Sequence, residues 1–454
     1  MSSVWHLLDK KCENCYNQGN TEKRGSYMTV FELINRDIPC VCGKTHRCNI
    51  EHLAIGEGVL TQLPEMLDDK KHIILVADRN TAPLCADRVK ALLGDQIESF
   101  CLFEGDELLV PDETTIAAVE RHLTEETDFI LGIGSGVIND TCKYVSFYHG
   151  LTCGIIATAP SMDGFASSGA AMIIGGMKVT YTTHAPSLIL GDVDILKNAP
   201  MDMIRSGYAD IIGKYSALCD WTLSKFVNDE YLCPFVYDIV KESTDEVRSL
   251  TEALKARDGV AVGKLMEILV LIGVCLTLIS TTRPGSGSEH HLSHYFEITG
   301  LIENKPYFLH GTDVGYSTVV TAGLREQIVA LEKPTFQKVS TETREAAYGA
   351  IYQDFWKEVK QIQDEAGRYA QDKTPFYAAH WDEIREILRL CPPAEEITQM
   401  LLDIGFDMSA FEEMYGKEKI QRGVWYGKDL KDRYSVLWLY SDLFLGEKEA
   451  SEIR

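Results

Sequence analysis

The chain has no block of basic residues. Its 454 residues carry 44 Lys and Arg against 68 Asp and Glu, a formal net charge of −24. That balance argues against binding nucleic acid or an anionic membrane surface. There is no internal repeat and no low-complexity tract. Long apolar runs are also scarce. The longest, LMEILVLIGVCLTLIS (265–280), contains Glu267 and is short for a bilayer span, so it is expected to be a buried helix rather than a membrane insertion. The opening MSSVWHLLDKKCENC turns polar too early for a secretory signal. The 13 cysteines are then expected to be reduced thiols in a cytoplasm.

With 45% hydrophobic and 25% charged residues the composition is that of a globular protein. The length suits two domains with a helical annex. We expect a Cys-containing extension over 1–54, an α/β domain over 55–196 and a helical domain over 197–454. The extension holds Cys12 and Cys15, then Cys40, Cys42, His46 and Cys48. Its composition suits a structural zinc site, but C-x-C is irregular for a zinc ribbon. A loose strand pair with free thiols is the other reading.

From residue 55 strand-like and helix-like stretches alternate: HIILVAD (72–78), a helix over 86–94, FCLF (100–103), a helix over 113–123, DFILGIGSGVINDTCKYVSFYHG (128–150) and GIIATAP (154–160). Such alternation indicates a parallel sheet with crossover helices. Ligands belong at the carboxyl ends of its strands. GIGSG (132–136) sits between a buried strand and a helix N-terminus, where backbone N–H groups can face a pyrophosphate. It is not the G-x-G-x-x-G fingerprint, because position 137 is valine, and a structural tight turn fits equally well. Asp78 is either a partner for a ribose hydroxyl or a strand-end cap. TAPSMDGFASSGAAM (158–172) is expected to be a loop of small residues wrapping a ligand, with Asp163 as its one carboxylate. HAPSLILGDVDIL (184–196) supplies one more strand.

Beyond 197 the pattern is helical. Asp210 and Lys214 stand four apart in MIRSGYADIIGKYSALCDWTLS (203–224), a spacing usually explained by a surface ion pair. In RPGSGSEHHLSHYFE (283–297) glycine and proline end the preceding run, and Ser288 or Glu289 is placed to cap a new helix. His290 and His294 then share a helix face. His310, in FLHGTDVGYSTV, opens another buried helix. One carboxylate (Asp210) and two imidazoles (His290, His310) from three helices form an open ligand set for a divalent metal. A solvated histidine cluster is the plain alternative for 283–297.

GIGSGVINDTCK, TAPSMDGFASSGAAM, SGYADIIGKYSALCDW, RPGSGSEHHLSHYFE and LHGTDVG, in that order, resemble the dehydroquinate synthase-like/iron-containing alcohol dehydrogenase superfamily. Within it the chain resembles the sn-glycerol-1-phosphate dehydrogenase family of bacterial type, over about residues 55–330 and the terminal KDRYSVLWLYSDLFL. The resemblance implies an α/β dinucleotide-binding domain and an all-α metal-binding domain. It implies a nicotinamide cofactor, NAD(P)H, held by Gly134, Ser135, Gly136, Val137, Ile138, Thr158 and Ser161, with Ser167 near the nicotinamide and Asp78 on the ribose. A metal (zinc, nickel or iron) would rest on Asp210, His290 and His310, with Asp163 and His294 contacting substrate. The implied reaction is reduction of dihydroxyacetone phosphate to sn-glycerol 1-phosphate, with Lys214 and Arg283 as candidate phosphate partners. A homo-oligomer, a dimer, is expected. Rival readings are a glycerol or other polyol dehydrogenase, a lyase like dehydroquinate synthase, and a non-catalytic binder. The lyase would want glutamate at the Asp210 position.

Overall fold

The computed structural model of the chain describes residues 28–105, 109–175, 177–336 and 344–443. Cys12, Cys15 and the end of the terminal motif from residue 444 lie outside the described residues. The first elements are short strands, β1 (Ile38–Pro39) and β2 (Thr45–His46), paired antiparallel. This is the strand pair read from the extension. Cys42 Sγ lies 3.3 Å from His46 Nε2, no disulfide joins the described cysteines, and Cys40, Cys42 and His46 present donors close enough together for a metal ion.

The apolar runs then build one sheet: β3 (His52–Gly56), β4 (Ile73–Asp78), β5 (Ile97–Phe103), β6 (Phe129–Gly134), β7 (Thr152–Ala157) and β10 (Leu188–Asp192). The order is β3-β10-β7-β6-β4-β5, and every pairing in it is parallel. β4 and β6 are nearly continuous apolar runs because helices cover both faces of a parallel sheet. Between successive strands of the sheet lie α1 (Ala82–Leu93), α2 (Glu113–Glu120) and α3 (Gly136–Tyr148). α1 starts earlier than the expected 86, with Pro83 in its first turn, where a missing N–H costs nothing. α2 is capped by Asp112, whose side chain accepts from the N–H groups of Thr114 and Thr115.

Two features depart from the sequence reading. The sheet already begins at His52. The small-residue stretch ends not in a loop but in an antiparallel hairpin, β8 (Gly169–Ile174) with β9 (Met177–Thr182). Gly-Ala-Ala has little strand propensity of its own, so the partner strand decides it.

The later helices are α4 (Met201–Ile212), α5 (Lys214–Asn228), α6 (Pro234–Arg248), α7 (Gly259–Ile279), α8 (Ser288–Glu303), α9 (His310–Ala330), α10 (Ser409–Tyr426) and α11 (Val436–Leu443), with shorter ones between. The stretch 203–224 is therefore two helices meeting at Gly213. α7 is the one described helix long and apolar enough to cross a membrane by composition, and 83% of its most apolar window is buried in the fold. The expected core helix is what forms.

The chain divides into two compact units, Tyr27–Ile211 with Asp245–Thr281, and Ile212–Thr244 with Thr282–Arg454. The first holds the sheet together with α4 and α7. The second is helical and holds α5, α8 and α9.

Candidate active site

In the sheet unit the chain leaves β4 toward β5 on one side and returns through β6 on the other. That reversal opens a crevice at the carboxyl ends of β4 and β6, the place where open parallel sheets bind ligands. Asp78 ends one strand and Gly134 the other. Ser135 and Gly136 carry the chain into α3, with Val137 and Ile138 in its first turn. A Cβ on Gly134 would stand 2.6 Å from the Ile138 Cβ, so the turn needs glycine to bring α3 this close to the strand. Thr158 N–H donates to the Gly134 carbonyl at 3.0 Å, and the Ser135 and Ser161 hydroxyls meet at 2.5 Å. Strand end, helix N-terminus and hydroxyls together suit a dinucleotide pyrophosphate. Asp78 does act as a cap: its Oδ1 accepts from Asn80 N–H at 2.7 Å and Thr81 N–H at 2.8 Å.

The 158–169 segment is held from several directions. Lys143, a fully buried residue of α3 that sequence reasoning missed, is ion-paired with Asp140 at 2.9 Å. Its ammonium donates to the carbonyls of Gly164 (3.1 Å) and Gly169 and lies 3.4 Å from the Ser167 hydroxyl. The signal was available, since Lys143 stands three residues after Asp140 and two turns into the helix that follows GIGSG. Ser206 of α4 donates to the Ser161 carbonyl at 3.1 Å. Thr277 of α7 donates to the Ala166 carbonyl at 3.0 Å. Asp163 and Asp210 are brought together: the Asp163 N–H donates to Asp210 Oδ2 at 3.0 Å. Asp210 and Lys214 are both fully buried, so neither is the solvated surface charge that their spacing suggested.

In the helical unit α8 and α9 gather three imidazoles. Ring centroids lie 5.1 Å apart for His290 and His310, 5.6 Å for His294 and His310, and 6.3 Å for His290 and His294. The cap expected at Ser288 or Glu289 is instead Gly287. Ser288 N–H donates to Asp220 at 2.7 Å and Gly287 N–H to Glu289 at 2.6 Å. Glu289 Oε1 also meets His290 Nδ1 at 2.8 Å. A carboxylate on one ring nitrogen fixes the tautomer and presents the other, Nε2, as a ligand. Burial, then the charges of Lys214 and other cations, holds His290 well below the usual histidine range. A neutral imidazole is the form that binds metal. His310 is steadied from outside the recognised motifs. Tyr415 of α10 donates to the Asp313 carboxylate at 2.8 Å and accepts from Phe308 N–H at 3.2 Å, on either side of the start of α9. His291 is fully buried, and neither of its ring nitrogens has a hydrogen-bond partner. Arg283, a candidate phosphate partner, is instead clamped by Glu230 through two 2.8 Å bonds.

A carboxylate and neutral imidazoles are donors suited to zinc, nickel or iron. Parallel sheet, glycine turn at the strand reversal and histidine-bearing helices define an oxidoreductase of the metal-dependent alcohol dehydrogenase class. The iron-containing alcohol dehydrogenase family model matches residues 54–200. The fold is similar to an archaeal halo-thermophilic alcohol dehydrogenase from a Red Sea brine pool, with TM-score 0.56 and 14% identity over 90% of this chain and 97% of that one. It is also similar to an alcohol dehydrogenase from Oenococcus oeni, with TM-score 0.56 and 12% identity over 87% and 99% of the two chains.

More specific likeness comes from sequence. A glycerol-1-phosphate dehydrogenase [NAD(P)+] of Halalkalibacterium halodurans is 34% identical over 305 residues, 66% of this chain and 76% of that protein. One of Geobacillus stearothermophilus is 27% identical over 431 residues, 92% of this chain and 99% of that protein. The chain belongs to the glycerol-1-phosphate dehydrogenase family within the iron-containing alcohol dehydrogenase superfamily, and it is an NAD(P)-dependent dehydrogenase.

Proposed function

We propose that the enzyme reduces dihydroxyacetone phosphate with NAD(P)H to sn-glycerol 1-phosphate, reversibly, using one divalent metal. The observation that carries this reading is the cluster of His290, His294 and His310, with Glu289 orienting His290. In a family whose relatives bear this activity in their names, such a cluster suits binding and reducing a ketone. Asp210, His290 and His310 would hold the metal, supplying a carboxylate oxygen and two imidazole nitrogens. When bound, the metal supplies Lewis acidity at the substrate carbonyl and the nicotinamide supplies hydride.

The remaining chemistry falls to the chain. His294 delivers the proton that completes the alcohol at the C2 oxygen as hydride reaches C2. Asp163 orients the substrate hydroxyls. Gly134, Ser135, Gly136, Val137, Ile138, Thr158 and Ser161 hold the dinucleotide, Ser167 lies by the nicotinamide, and Asp78 Oδ2 reads the adenosine ribose. The working form is a homodimer in the cytoplasm.

The test is oxidation of NADH and NADPH with dihydroxyacetone phosphate, on protein stripped by chelator and refilled with zinc, nickel or iron, followed by chiral analysis. Metal-dependent formation of sn-glycerol 1-phosphate is expected. Asp210→Asn is expected to lose bound metal and activity together while keeping its circular dichroism. Normal metal content in that variant would remove Asp210 from the ligand set. Turnover of an unphosphorylated polyol alone would transfer the function to a glycerol dehydrogenase.

A further inference from the structure

The hairpin of β1 and β2 carries Cys40, Cys42 and His46, spaced C-x-C-x-x-x-H, which is irregular for a zinc ribbon. The fold shows how that spacing can work. Ile38 stands opposite His46 and Pro39 opposite Thr45. The pairing runs one step further, where Cys40 N–H donates to the Lys44 carbonyl at 3.0 Å. Side chains alternate along a strand, so Cys40, two residues after Ile38, faces the same way as His46. The turn closes through Gly43 N–H on the Cys40 carbonyl at 3.0 Å, with Gly43 at φ +83°, where glycine is favoured. That tight return brings in Cys42, whose Sγ is 3.3 Å from His46 Nε2. The ligand atoms of Cys40, Cys42 and His46 all lie within 4.8 Å of one another.

His46 is 1% exposed, and its ring is fixed from behind. Its Nδ1 meets the carbonyl of Leu278, in the last turn of α7, at 2.8 Å. A carbonyl only accepts, so Nδ1 carries the proton and Nε2 of the neutral ring keeps its lone pair on the side of Cys42. A backbone carbonyl on the far nitrogen is a usual way of orienting a metal-bound histidine. Both cysteines are half-buried. A thiol–imidazole hydrogen bond needs one sulfur at that nitrogen; the hairpin brings two. Donors about 2.0–2.3 Å from a zinc ion stand about 3.5 Å from one another, so small side-chain adjustments close this group on one ion. Cys48 is different. It stands outside the group, and burial pushes its thiol up to about 12, away from the thiolate that a metal needs.

We propose that Cys40, Cys42 and His46 are ligands of a structural zinc ion, separate from the dehydrogenase metal. Two thiolates and an imidazole suit zinc, whereas the set proposed for the dehydrogenase holds oxygen and nitrogen only. On binding, each cysteine releases its proton to solvent and its sulfur takes up the zinc. Structural zinc is four-coordinate; the hairpin supplies three donors and a further ligand completes the sphere. Strands of two residues each are too short to hold a hairpin by themselves. The ion locks the turn and, through His46, fastens it to the end of α7.

The test is cobalt substitution of the full chain, stripped by chelator and refilled under reducing conditions. Cobalt bound by thiolates gives a strong ultraviolet charge-transfer band that a carboxylate and imidazoles do not give, so the band reads the hairpin alone. The wild type is expected to show it, and so is Asp210→Asn, which keeps this inference independent of the dehydrogenase site. Cys40→Ser and Cys42→Ser are each expected to lose most of the band and about one equivalent of zinc per chain, with circular dichroism unchanged. Cys48→Ala should keep both. On the wild type itself, zinc is expected to shield Cys40 and Cys42 from alkylation by iodoacetamide, read by peptide mass, and a chelator to expose them. Cobalt bound without the band, a Cys42→Ser variant that keeps band and zinc, or equal alkylation with and without zinc would overturn the site.

Discussion

Asp238 shows how a single half-buried charge shapes this molecule. It lies on α6, and burial, then the Glu242 carboxylate one turn on, push its carboxyl up to about 6 from an ordinary value near 3.8. The folded state therefore binds a proton more readily than the unfolded one. Between pH 6 and 4 stability rises as pH falls, and above pH 6 the charged carboxylate is a fixed cost. Asp238→Asn removes that cost. At pH 7 its melting temperature is expected to exceed the wild type by about 2 °C, and the advantage should vanish near pH 4. A melting temperature raised equally at both pH values would assign the gain to packing instead. His290 carries the same lesson with the opposite direction of shift, because burial lowers its pKa and favours the neutral form that a ligand role requires.

Among the elements, α4 and α7 decide where the 158–169 segment lies, and glycine decides how close they come. A Cβ on Gly207 of α4 would stand 1.9 Å from the Pro160 carbonyl oxygen. On Gly273 of α7 it would stand 2.7 Å from the Asp163 carbonyl oxygen and 2.9 Å from the Ala166 nitrogen. Backbone atoms cannot turn aside as a side chain can, so Gly207→Ala is expected to cost about 3 kcal/mol or more in urea unfolding. Gly323 of α9 is the contrast, since a Cβ there meets nothing within 4 Å. Gly323→Ala should stabilise by about 0.5–1 kcal/mol through helix propensity alone. Equal effects at the two sites would reject the packing argument.

Across the whole molecule, fully buried Asp220 ties together parts of the helical unit that are remote in sequence. It pairs with Arg325 of α9 at 2.8 Å. It also accepts the N–H of Ser288 at the start of α8 and that of Val436 at the start of α11, at 2.7 and 2.9 Å. Asp220→Ala would leave a buried guanidinium without its carboxylate, and a loss of about 3–5 kcal/mol is expected in denaturant unfolding. A loss below about 1 kcal/mol would mean that water reaches Arg325 and replaces the pair.

What the sequence determined by itself was whatever depends on near neighbours along the chain. Continuous apolar runs at β4 and β6, glycines at the β6–α3 turn and the i,i+4 pair His290 and His294 are local patterns. The parallel sheet and the shared histidine face could therefore be read directly. Motif order extended that reading to the family. What only the tertiary structure decided was whatever depends on partners far away in the chain. The β8–β9 hairpin exists because a second strand supplies its hydrogen bonds. Glycine 287, not Ser288, caps α8 because Asp220 and Glu289 already satisfy the first N–H groups there. Arg283 is neutralised by a glutamate 53 positions earlier. Lys143 and Tyr415 gain their roles only where folding brings them to a loop or a helix start. Spacing along a chain encodes the face of one helix or strand; which charge meets which carbonyl is set by how those faces pack.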